Sequence, residues 1–340
     1  MELHLVDAIT GELASASNDI LAEMGADHPG GEQPKAKHEL FQSTVEIITG
    51  VCDNPAQAGD DLRATLAELR TATERRGLTL VSAGTHPFGL AREQIVSPQQ
   101  RYLDLVEDLQ WPARRMLICG MHVHVGVRDG GTAIRIIGEL MRHHPLFLAL
   151  SSSSPYFERD DSGMASARTK IFEGLPTAGL PPPLADWSDF ESFMSTLIES
   201  GCIRSIREVW WDIRPHPDFG TVEFRMCDAT PTVRETIALA ALAQTLVEST
   251  IRQIDAGTLP PPPREWTIRE TRWLAARYGL DAALIVQRPG SDHPERRPVR
   301  ELVTEHIAEL RPVASDLGTL DQLADLELLL EAGSGAQRQR

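Results

Sequence analysis

Residues 208–228 read Glu-Val-Trp-Trp-Asp-Ile-Arg-Pro-His-Pro-Asp-Phe-Gly-Thr-Val-Glu-Phe-Arg-Met-Cys-Asp, and their alternation decides the fold class. Side chains on a strand point to opposite faces in turn, so two alternating runs around a Pro/Gly turn predict a β-hairpin. One face takes Val209, Trp211, Ile213, Val222, Phe224 and Met226. The other takes Asp212, Arg214, Glu223 and Arg225, two carboxylates and two guanidiniums on one surface. Such a surface suits metal ions and anions.

Outward from the hairpin the pattern is mixed. Further strands are predicted at the start (Glu-Leu-His-Leu-Val-Asp, residues 2–7), at 43–48, at 78–83 and at 116–127. Pro55 opens an amphipathic helix that Gly77 stops, and Thr132 to His144 forms another that ends before Pro145. Ser151 to Pro183 is rich in Ser, Gly and Pro and reads as a long ordered loop. Helices follow at about 186–200 and from Pro231 to Gly257. Beyond the stiff break at Pro260–Pro263, the spacing predicts helices throughout 264–332. An antiparallel hairpin among irregularly placed helices predicts an α+β fold, with residues 1–340 as one domain.

The composition narrows the function. Lys and Arg number 33 against 49 Asp and Glu, a formal net charge of −16, which argues against non-specific attraction to nucleic acid or anionic membranes. Any anionic ligand must then be held locally, by chosen arginines or metal ions. Cys52, Cys119, Cys202 and Cys227 show no C-x-x-C spacing, which fits a reducing cytoplasm better than a disulfide framework or structural zinc. No stretch has the form of a signal peptide or a spanning helix.

Four groups of residues can carry chemistry. In Gly120-Met-His-Val-His-Val-Gly126 the imidazoles of His122 and His124 share a strand face, where they bind a metal or an anion, or simply hydrogen-bond on a polar surface. Glu2 and Glu46 lie on strands and gain meaning only if those strands adjoin His122, Glu223 and Arg225. Arg168 and Arg214 can each clamp a carboxylate or phosphate, or remain solvated. Gly333-Ser-Gly-Ala336, with Arg338 and Arg340, lacks P-loop spacing and reads as a frayed end. There is no Walker loop, Rossmann fingerprint or G-x-S-x-G elbow, and Ser151–Ser154 has no attached base. A metal-dependent hydrolase using His122 and His124 lacks a matching carboxylate set.

These residues also resemble a known family, the bacterial carboxylate-amine ligases of the glutamate-cysteine ligase type 2 group (YbdK family). The resemblance rests on Gly120-Met-His-Val-His-Val-Gly126, Ser151-Ser-Ser-Ser-Pro-Tyr156, Ala165-Ser-Ala-Arg168 and Pro176-Thr-Ala-Gly-Leu-Pro181. It continues through Trp210-Trp-Asp-Ile-Arg-Pro215, Thr221-Val-Glu-Phe-Arg-Met-Cys-Asp228 and Ala275-Ala-Arg-Tyr-Gly-Leu280, in order along nearly the whole chain. It implies a glutamine-synthetase-like curved antiparallel sheet, lined with acidic residues that hold Mg²⁺ and ATP, with helices packed on the outer face.

By the same resemblance Glu2, Glu46, His122 and Glu223 are expected on the metal, and Arg225 against the transferred phosphoryl group. Arg168, Arg214, His124 and Ser154 are expected to bind substrate or ATP. The implied reaction is ATP-dependent amide formation between the γ-carboxyl of glutamate and an amine, nominally cysteine, through an acyl phosphate. Family members commonly form homodimers. They usually carry a Gly-Val-Glu segment ahead of the position of Glu2 and continue past the final Gln-Arg run, and neither is present here. That departure gives the alternative expectation, a nucleotide-binding homologue with an incomplete metal site and impaired catalysis.

Overall fold

A computed structural model describes residues 1–26, 28–286 and 293–340. The chain is α+β, and every pairing between its named strands is antiparallel. Strands β1 (Glu2–Asp7), β2 (Ala36–His38), β3 (Thr44–Ile47) and β4 (Leu78–Val81) form a sheet in the order β2-β3-β1-β4. Strand β5 (Gly120–Gly126) lies outside the short hairpin β6 (Tyr156–Phe157) and β7 (Asp160–Asp161), and pairs instead with the predicted hairpin, β8 (Ile213–His216) and β9 (Thr221–Asp228). The second sheet runs β5-β9-β8. The two sheets meet where Thr85 bridges Ile118, the Cys119 N–H donates to the Gly84 carbonyl at 2.9 Å, and the Gly120 N–H donates to Glu2 Oε2 at 2.6 Å.

Alternation along β9 explains the layering. Val222, Phe224 and Met226 are buried with Ile213 against the helices Gly130–Ser151 and Val233–Ala256. Leu3, Leu5, Val45 and Ile47 of the other sheet pack with Leu62 and Leu69 of the helix Pro55–Glu74. Helices therefore cover one side of both sheets. The polar residues at alternate positions are left on the other.

Several local expectations change. The helix expected to stop before Pro145 continues to Ser151, because Leu146–Leu150 are all buried, and that burial outweighs the one hydrogen bond the proline cannot donate. The loop 151–183 contains β6, β7 and the helix Ala167–Phe172. Strands β10 (Ala283–Val286) and β11 (Glu295–Pro298) pair within the stretch expected to be helical throughout. The C-terminus is not frayed. Ser334 caps the helix Gly335–Gln339 in a reciprocal capping box, the Ala336 N–H donates to the Ser152 carbonyl, and the Gln339 amide donates to the Ser153 carbonyl at 2.9 Å. Gly335 is required there, since a Cβ would lie 2.4 Å from Ser153 Oγ. Among the described residues the four cysteines are free, and no helix is long and apolar enough to cross a membrane.

Candidate active site

The register places the site residues. Glu2 on β1 stands opposite Glu46 on β3, and His124 on β5, Glu223 on β9 and Arg214 on β8 form one row across three strands. Between Met121 and Val123 the β5–β9 register slips, so that Arg225 and Met226 together oppose His122. This bulge lets both Met226 and Cys227 face the core while Arg225 stays on the polar side.

Glu2, Glu46 and His122 converge. One ligand atom from each lies within 4.8 Å of the others, with His122 Nε2 at 3.9 Å from Glu2 Oε1. Burial, and after it the Arg225 charge, holds His122 well below the usual imidazole range, so its ring is neutral and can offer a lone pair. Burial raises Glu46, and the Glu2 and Glu223 charges add to that. The Met1 ammonium and Arg225 pull Glu46 the other way without overcoming these effects, so an added cation would favour its charged form. A hard divalent cation such as Mg²⁺ fits this donor set.

Glu223 is the hub of the adjoining half. Its Oε2 accepts from Arg214 Nε at 2.6 Å, its Oε1 pairs with Arg225 Nη1, and His124 Nε2 lies 3.6 Å from Oε1. Burial alone would raise this carboxyl, yet the Arg225 and Arg214 charges overcome it and hold it well below the carboxylate range. His124 is lowered to about 4 by burial, and its Nδ1 lies 2.9 Å from the Thr221 hydroxyl. Arg214 is largely committed to the protein, since its Nη1 donates to the Ile206 and Val209 carbonyls. Among the described residues, none partners the buried Arg225 Nε.

Arg168 lies against the Gly120 backbone, where a Cβ would come within 2.3 Å of its Nη2. Its Nη1 and Nη2 reach the Met226 and Arg225 carbonyls at 3.4 Å, its guanidinium covers the Phe172 ring, and its buried Nε has no partner among the described residues. Ser154 is occupied structurally. Its hydroxyl donates to Asp228 Oδ2 at 2.7 Å, and Asp228 also accepts from the Ser153 N–H and the Ser166 hydroxyl.

One sequence expectation fails and one carboxylate was missed. Asp212 does not join the acidic face, because β8 begins only at Ile213 and Asp212 sits in a bend that turns its side chain into the helices. There its Oδ2 accepts from Arg272 Nε at 2.8 Å and lies 2.9 Å from His144 Nε2. Glu39 is the missed carboxylate. Burial first, then the Glu2 and Glu46 charges, hold it well above its ordinary range, and Tyr102 donates to the neighbouring His38 carbonyl at 2.5 Å. The sequence carries no usable signal for it, because Glu39 lies just beyond the three-residue strand Ala36–His38.

A family model described as glutamate-cysteine ligase family 2 matches residues 1–340. The chain belongs to glutamate-cysteine ligase family 2. A protein of Frankia casuarinae provisionally named glutamate–cysteine ligase 2-1 is 51% identical over 100% of this chain and 88% of its own length. A relative in Thermobifida fusca, provisionally named glutamate–cysteine ligase 2, is 46% identical over 100% and 84%. Among solved structures, a glutamate–cysteine ligase of Francisella tularensis, in complex with AMP, matches with a TM-score of 0.70 at 11% identity, covering 99% of this chain and 82% of that one. A bifunctional glutathione synthetase of Pasteurella multocida matches with a TM-score of 0.62 at 12% identity, covering 99% and 48%. At such identities the likeness is one of fold. Membership of glutamate-cysteine ligase family 2 makes the chain a ligase that forms carbon–nitrogen bonds.

Proposed function

We propose that the protein is an ATP-dependent carboxylate-amine ligase that joins the γ-carboxyl of glutamate, or a similar carboxylate, to an amine such as cysteine through an acyl phosphate. The observation that carries this is the convergence of Glu2, Glu46 and His122 within 4.8 Å, next to Arg225 on the same face. A carboxylate resists attack because its charge repels the amine and oxide is not a leaving group. Phosphorylation supplies a leaving group, and the amine then displaces phosphate to give the amide.

In this reading Glu2, Glu46 and His122 hold Mg²⁺, with Glu223 and Glu39 alongside. Mg²⁺, when bound, neutralises charge on the nucleotide oxygens. Arg225 turns its fixed positive charge toward the transferred phosphoryl group, and Glu223 keeps that guanidinium oriented. Neutral His124 contributes a ring nitrogen beside Glu223 for the nucleotide side. Arg168, whose buried Nε lacks a partner among the described residues, receives the carboxylate substrate, and Ser154 sets the turn behind it by binding Asp228. Arg214 orients Glu223 from the next strand and adds positive charge behind it for an anion.

The test is incubation with ATP, Mg²⁺, glutamate and a panel of amines, cysteine among them. ADP release that depends on both glutamate and an amine, in one-to-one ratio with a new amide, supports the reading. Amide formed without nucleotide consumption, or no amine-dependent ADP with any member of the panel, contradicts it.

A further inference from the structure

Asp212 never touches the acidic face, yet its main chain brackets the residue on which the proposed chemistry depends. The Arg225 N–H donates to the Asp212 carbonyl at 2.8 Å, one step beyond the regular β8–β9 register that ends at Ile213 and Phe224. On the far side, the Arg225 and Met226 carbonyls are the ones that Arg168 holds. Since Arg225 and Met226 form the bulge opposite His122, these contacts fix the backbone from which the guanidinium projects. The Asp212 N–H in turn donates to the Gly179 carbonyl at 2.7 Å, which ties the loop before Leu180 to the same point.

The Asp212 side chain is what anchors that crossing. It is buried, and one oxygen, Oδ2, meets both Arg272 Nε from the helix Glu265–Tyr278 and His144 Nε2 from the helix Gly130–Ser151. Arg272 is itself paired with Glu173. A charge buried among helices with two partners has one low-energy position, so the bend it belongs to has one position as well.

We propose that Asp212 is a positioning residue for Arg225: clamped by Arg272 and His144 behind the sheet, it holds the bulge that aims the Arg225 guanidinium at the transferred phosphoryl group. The inference rests on the role given to Arg225 above. Substrate contact is no part of it.

The test is a double-mutant cycle with two readouts in the full chain. Asp212→Ala lowers kcat about 20-fold with the nucleotide KM within about 3-fold, and Asp212→Asn, which keeps one acceptor, recovers part of the loss. In an Arg225→Ala background the same change costs less than about 2-fold, because the group it served is gone. Equal losses in both backgrounds would overturn the proposal. The second readout needs no turnover: exchange of the Arg225 amide hydrogen rises about 10-fold in Asp212→Ala while the helix Val233–Ala256 keeps its protection. Unchanged protection at Arg225 would also overturn it. His144→Ala removes one clamp and leaves Arg272, so it gives the same pattern at smaller size if Asp212→Ala does not fold, and His144→Gln restores it. An inert wild type contradicts the ligase reading, whereas exchange at Arg225 still decides this one.

Discussion

Glu2 and Glu46 stand opposite each other in the β1–β3 register, and with His122 from the neighbouring sheet they bring ligand atoms within 4.8 Å. Three segments far apart in sequence thus offer two carboxylate oxygens and one imidazole nitrogen to a single point. Replacing Glu46 or His122 by Ala is expected to weaken Mn²⁺ binding, used as a probe for Mg²⁺, by on the order of 10-fold or more. Titration calorimetry reads this directly. Affinity unchanged in both variants would remove the cluster from consideration as a metal site.

Glu223→Gln is expected to abolish turnover and to destabilise the fold as well. The carboxylate is shared by Arg214 and Arg225, so its neutralisation strands two guanidiniums in a buried place, at a cost of about 3 kcal/mol. Urea denaturation measures the second effect. Glu223 is held below its ordinary value near 4.5, so its contribution is present above that pH and is lost only on acidification below it.

Glu46 behaves in the opposite sense. Its folded-state value is raised above the ordinary 4.5 by burial and by Glu2, so its contribution to stability is complete below that value and disappears as pH rises through the raised one. Wild type minus Glu46→Gln in melting temperature should therefore fall as pH rises above the ordinary 4.5, and Mg²⁺ should restore the difference. A difference independent of pH would contradict the placement of Glu46 beside other carboxylates.

Asp228 accepts from the Ser153 N–H and from the hydroxyls of Ser154 and Ser166, all buried. Asp228→Ala takes this acceptor from the buried Ser153 N–H and Ser154 hydroxyl and the facing charge from Arg168 Nη1, 3.9 Å from Asp228 Oδ1, and is expected to destabilise the protein by about 3 kcal/mol. A loss under about 1 kcal/mol in chemical denaturation would show that the turn is held by other means.

Where the sequence was legible, a period was visible. Alternation in 208–228 and 120–126 located β9, β5 and the faces of Glu223, Arg225, His122 and His124, and caps located the helices Pro55–Glu74 and Val233–Ala256. It failed where tertiary contacts override a local rule. Asp212 lies in a bend, so alternation no longer applies to it. Pro145 is carried inside a helix by the burial of the next five residues. The C-terminal helix is held by the Ser152–Ser153 carbonyls, which are distant in sequence. Glu39 follows a three-residue strand too short to show a period.

In the proposed reaction the carboxylate is activated by phosphoryl transfer at the face shared by Arg225 and the Glu2–Glu46–His122 cluster. Glutamate labelled with ¹⁸O in its γ-carboxyl, turned over with ATP, Mg²⁺ and an accepted amine, tests it most directly by mass spectrometry of the products. The expected result is one ¹⁸O atom in inorganic phosphate for each amide formed. Label recovered in AMP, or amide formed with unlabelled phosphate, would contradict it.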